Sequence, residues 1–116
     1  MEKMERDVTV IAPYESFGAA SNLVDSISRK YNCIGVFKTK CKKKFRTSNS
    51  KYGYDKIEKS KLYVVVSAQA YVELYNKIPI EKTVVILTDS FYIENHKKVN
   101  NLLYDVNVYC MPDLMY

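Results

Sequence analysis

Three serines in this 116-residue sequence follow closely on apolar runs: Ser16 after residues 8–12, Ser67 after 62–66 and Ser90 after 83–87. Other hydrogen-bonding groups accompany them: Tyr14 and Glu15, then Gln69, then Thr88 and Asp89. Hydroxyls, amides and carboxylates in such company suit a polar ligand such as a sugar or a phosphate. Taken singly, each serine also reads as a helix cap, because its hydroxyl can accept an otherwise unpaired N–H of the first turn. Asp89, beside a wholly apolar run, either accepts hydrogen bonds from a ligand or caps the helix that follows.

A second group of residues carries charge. The chain has a net charge of +5, yet residues 38–61 hold ten Lys or Arg against Asp55 and Glu58, a local +8 that leaves the remainder at −3. Lys42, Lys43, Lys44 and Arg46, with Lys38 and Lys40 nearby, would neutralise phosphates, and Phe45, Tyr52 and Tyr54 are available to stack on bases, so nucleic acid is one expected partner. The alternative is a solvated loop that keeps a small protein soluble.

Several chemistries find no support. No G-x-x-x-x-G-K-[ST] segment occurs, and G-x-G-x-x-G is impossible with glycines only at 18, 35 and 53. Cys41 and Arg46 are one residue too close for a C-x5-R phosphatase loop, and the acidic residues of a phosphoacceptor domain are missing where strands one and three would end. Cys33, Cys41 and Cys110 have no C-x-x-C spacing and read as free thiols, Cys41 with a lowered pKa among its lysines if exposed. His96 is the only histidine and reads as a half-buried helix residue. No metal and no cofactor are implied.

The elements that must position these groups follow from apolar spacing. Residues 8–12, 33–38, 62–66, 83–87 and 105–109 read as strands, the third as one buried on both faces. Helical periodicity appears at Ala20, Leu23, Val24 and Ile27, again at Tyr71, Leu74, Tyr75 and Ile78 up to Pro79, and again at Tyr92, His96, Val99, Leu102 and Leu103. Residues 39–60 show little periodicity and read as a functional loop rather than a crossover helix. This alternation predicts one α/β domain over residues 1–116, a three-layer Rossmann-like fold with a five-stranded parallel sheet in order 3-2-1-4-5, helices on both faces and a basic loop at 38–61. The turns after strands one, three and four then bring Tyr14, Ser16, Ser67, Gln69, Asp89 and Ser90 to one edge, where open parallel sheets bind ligands.

No apolar run reaches the length of a membrane span, and the charged residues 1–7 do not resemble a signal peptide, so a soluble, cytoplasmic protein with reduced thiols is expected. Tyr109, Met111, Leu114, Met115 and Tyr116 are unusually apolar for a tail and would pack on the domain itself or on a second copy as a homodimer.

The segments VTVIAPYESFGAASNLVDSISRKYNCIGVF and TVVILTDSFYIENHKKVNNLLYDVNVYCMPDLM together resemble the N-terminal, acceptor-side half of a GT-B type glycosyltransferase. The resemblance implies a loop and helix start around Gly18, Ala19, Ala20 and Ser21, with Thr88, Asp89 and Ser90 facing an interdomain cleft. It also implies a sugar, nucleotide-sugar or glycan acceptor as ligand. The first loop is poorer in glycine than is usual there, and the donor-binding domain is not in this sequence. Glycosyl transfer would therefore need a second domain or a partner glycosyltransferase subunit.

Overall fold

Runs of consecutive branched apolar residues without alternation must be covered on both sides, which only a parallel sheet flanked by other elements provides. The computed structural model of the chain describes residues 5–14, 18–39, 50–87 and 106–110. Its elements are β1 (Arg6–Tyr14), α1 (Gly18–Ser28), β2 (Cys33–Thr39), β3 (Ser50–Tyr52), β4 (Ser60–Val66), α2 (Ala68–Leu74), β5 (Thr83–Leu87) and β6 (Asn107–Cys110), with 3-10 turns at Tyr54–Lys56 and Ile80–Lys82. The six strands form one Rossmann-like sheet in order β3-β2-β1-β4-β5-β6, and every pairing is parallel.

The order 3-2-1-4-5 is present with a sixth strand added, but the segment in third place is not the one expected. Ser50–Tyr52 pairs with β2, Gly35 opposite Ser50, whereas the LYVVV segment lies on the other side of β1, with Val64 opposite Val10. Three residues, SKY, are too few and too polar to stand out from a basic stretch; their strand state comes from the open edge of β2. The expected basic loop at 38–61 is thus interrupted by β3, by a 3-10 turn and by the first residues of β4. The third expected helix lies outside the described residues.

Two apolar clusters occupy the two sides of the sheet. Val8, Val10, Ala12, Phe37, Val64 and Val66 pack with Ala20 and Val24 of α1, while the alternate residues Ile11, Val36, Val65, Val85 and Leu87 pack with Tyr71 and Leu74 of α2. Alternation of side chains along a strand puts these sets on opposite faces. Full burial of a Val, Leu or Ile is worth about 1.5–3 kcal/mol each as an upper estimate, so these clusters dominate stability. Tyr75 departs from the expected stripe: α2 stops at Leu74, and Tyr75 is 45% exposed.

Gly35 sets how closely α1 approaches. A Cβ there would lie 2.9 Å from Phe37 Cε2 and 3.0 Å from Val24 Cγ2. Beyond β3 the chain turns at Gly53, whose φ of +103° is one that side chains rarely adopt, and its N–H donates to the Phe37 carbonyl at 2.7 Å.

Where the strands begin, a polar network holds the sheet. The Thr9 hydroxyl donates to Ser60 Oγ at 3.0 Å, and the Ser60 hydroxyl donates to the Arg6 carbonyl at 3.2 Å. Glu58 accepts the ammonium of Lys51 and lies 3.7 Å from Arg6 Nε, while Arg6 Nη1 donates to Asn32 Oδ1 at 2.8 Å. These contacts tie β1, β3 and β4 together at one end.

Candidate functional site

Because all strands run the same way, Tyr14, Thr39, Val66, Leu87 and Cys110 end at one rim of the sheet. The chain lays down β1, β2 and β3 outward in one direction and β4, β5 and β6 outward in the other. The reversal falls between β1 and β4, paired up to Ile11 opposite Val65. At such a reversal the following helices leave on opposite faces, and a crevice opens between them beyond the strand ends. Here α1 starts at Gly18 and α2 at Ala68, on either side of that point. Pro13 lies beyond the last β1–β4 pair, where its missing N–H costs no bond to β4.

Of the residues expected at this edge, the structure brings the backbone of Tyr14 and the residues Ser67 and Gln69 to the rim. Tyr14 is the last residue of β1 and stands opposite Thr39 of β2. Ser16, Asp89 and Ser90 lie outside the described residues, as do Lys42, Lys43, Lys44 and Arg46. Cys41, His96, Met111, Leu114, Met115 and Tyr116 also lie outside them.

Ser67 is fully buried and takes the capping role, its Oγ accepting the Gln69 N–H at 3.1 Å. Its own N–H donates to the Ile86 carbonyl at 2.8 Å, which fastens the end of β4 to β5. To do both it adopts φ +110° and ψ +131°, the one positive φ on a non-glycine among the described residues. Conformations of this kind cost about 1–3 kcal/mol and persist only where the surroundings hold them. Gln69, two residues further, is exposed.

A comparison with protein-family models, curated proteins and solved structures returns no match.

The basic stretch begins at this same rim. In the sequence, residues 40–49 connect Thr39, paired with Tyr14, to Ser50, paired with Gly35. Four of the described cations next to it are paired: Lys38 with Glu73 at 2.7 Å, Lys51 with Glu58, Lys56 with Asp55 at 3.9 Å, and Lys61 with Asp7 at 3.3 Å, whereas Lys59 is exposed. Exposed pairs of this kind contribute little to stability, but they cancel charge locally. Lys40, Lys42, Lys43, Lys44 and Arg46 add five further positive charges over residues 40–46, among which no acidic residue stands in the sequence.

Cys33 is buried at the start of β2, and loss of hydration pushes its thiol pKa up, so it stays protonated and is a poor nucleophile. Burial likewise raises the Tyr71 phenol. Among the described residues no group of three or more His, Cys, Asp or Glu is arranged to hold a metal ion, and no helix is long and apolar enough to cross a membrane.

The sequence reading overlooked the other end of the sheet. A groove of about 650 Å³ lies there, between the end of α1 and the starts of β1 and β4. One signal for it was available: Tyr31, four residues after Ile27, extends the apolar stripe of α1 past the helix end.

Proposed function

We propose that this chain is a glycosyltransferase-like domain that binds a sugar, nucleotide-sugar or glycan acceptor at the rim where its strands end, and that it needs a second domain or subunit for transfer. The observation that carries the reading is the reversal of strand order between β1 and β4. Ligand contacts are assigned to Tyr14, Ser16, Gln69, Asp89 and Ser90, with Ser67 shaping the turn after β4. The half-domain resemblance noted in the sequence supports the choice of ligand class, since its acceptor-side wall corresponds to the same loops. Alone, such a wall holds one reactant without positioning the other, which removes much of the rate gain of transfer.

Thermal denaturation with nucleotide sugars, free nucleotides and oligosaccharides tests this. A ligand at 100 times its dissociation constant stabilises the folded state by about 2.7 kcal/mol. The stabilisation is expected to shrink in Gln69→Ala and Asp89→Asn. Absence of a shift with every compound would remove the reading.

A second reading is favoured by one observation, the concentration of positive charge in the sequence at residues 40–46, between β2 and β3. In it the segment binds nucleic acid through Lys42, Lys43, Lys44 and Arg46. Affinity would then fall by about 0.9 log unit per contacted phosphate for each tenfold rise in salt. Replacing Lys42, Lys43 and Lys44 with Gln should flatten that slope; unchanged affinity for DNA and RNA would dismiss it.

A further inference from the structure

The groove at the start of the strands is separate from the rim, and its lining differs in kind. Val8 of β1, Leu62 of β4, Ser26 and Ile27 of α1 and Tyr31 just beyond that helix line it. Tyr31 is 59% exposed, the most exposed large apolar side chain among the described residues. A volume of about 650 Å³ is within the range of small-molecule sites, roughly 300–1,000 Å³.

The charged residues lining the groove are Asp7, Lys30 and Lys61. Asp7 is already occupied: it accepts the Asn32 N–H at 2.9 Å and pairs with Lys61 at 3.3 Å. The Lys61 side chain nevertheless remains 66% exposed. Among the described residues Lys30 has no carboxylate within ion-pair distance. The lining is thus net positive, with the rest of it mostly apolar.

That distribution selects an occupant with an apolar body and a negative end. We infer that the groove holds a free single-chain amphiphile with a carboxylate head, its alkyl chain against Val8, Ile27, Tyr31 and Leu62 and its head at Lys30 and Lys61. The inference is independent of the sugar-binding reading, because the two features lie at opposite ends of the strands.

The test is a titration of the isotope-labelled full chain with dodecanoate below its micelle concentration, with dodecanol and dodecyltrimethylammonium as comparators. Saturable shifts centred on the amides of Val8, Ile27 and Leu62 are expected, with the carboxylate binding more tightly than the ammonium. Lys30 is exposed, so Lys30→Glu should leave thermal stability unchanged while weakening dodecanoate by about tenfold, the effect of ~1.4 kcal/mol of lost head-group attraction, and sparing dodecanol. Ile27→Gln should weaken both. Failure of dodecanoate to saturate, equal affinity for the ammonium, indifference to Lys30→Glu, or binding only to vesicles of anionic phospholipid would each overturn the inference.

Discussion

The Thr9 hydroxyl donates to the Ser60 hydroxyl across 3.0 Å, with both residues fully buried where β1 meets β4. Ser60 in turn donates to the Arg6 carbonyl, so the two hydroxyls are unequal partners. In Thr9→Val, Ser60 keeps its donor bond, and the loss should be about 0.5–1.5 kcal/mol, that of one hydrogen bond. Ser60→Ala strands the Thr9 hydroxyl in a dry interior and should cost more, about 1–3 kcal/mol. Urea denaturation of both variants and of the double mutant checks this: the double mutant should lose less than the sum of the singles. Strict additivity would show that the two hydroxyls do not act as a pair.

Ser67 carries a cap and a strained backbone at once, and substitutions separate the two. Ser67→Ala removes the cap and keeps the strain, for a loss of about 1 kcal/mol. Ser67→Gly relieves strain of about 1–3 kcal/mol while forfeiting only a few tenths for the cap, so it should be at least as stable as the parent chain. Melting temperatures in the order Gly, Ser, Ala are expected. If Gly ranks lowest, the positive φ is not a source of strain.

At Gly35 the prediction concerns space rather than backbone. The Phe37 ring is fully buried and cannot swing away from a new methyl group at 2.9 Å, nor can α1 retreat without opening the cluster around Val24. Gly35→Ala should therefore destabilise by about 1–3 kcal/mol, as overpacked cores do. Combining it with Val24→Ala should cost less than the two changes added. Chemical denaturation of the three variants measures this.

Asp7 gives the fold a pH dependence of known sign. The Asn32 N–H, followed by Lys61, holds its carboxyl below the ordinary aspartate value. The folded state thus prefers the ionised form. Its contribution is complete above the pKa of an unfolded aspartate and disappears as pH falls through the lower folded value. Asp7→Asn should be less stable than the parent at neutral pH and lack this component of acid sensitivity. A carboxyl that titrates at or above the ordinary value, followed by NMR, would contradict the assignment.

How much of this was readable beforehand depends on how local the cause is. The runs around Val10, Val36, Val64 and Val85 read as strands, that of Val64 as one covered on both faces, and all four are strands with buried residues. Ser67 as the cap of α2 was equally legible, because the bond to Gln69 N spans two residues. Tyr75 was misjudged, since periodicity cannot say where a helix stops, and β3 was missed, since three residues borrow their structure from β2.

Residue order by itself determined the class of this protein: branched apolar runs alternating with one-sided helical stripes satisfy their backbones and bury their side chains only as a parallel sheet with helices packed against it. Which strand lies beside which was decided by the tertiary structure alone. Val64 pairs with Val10 and not with the strand of Val36 because hydrogen bonding across a sheet is blind to side-chain type, and the competition for neighbours is settled by packing of the whole. The same competition puts the reversal between β1 and β4, the strained turn at Ser67 and the groove beneath α1 where they are, through contacts between residues far apart in the chain.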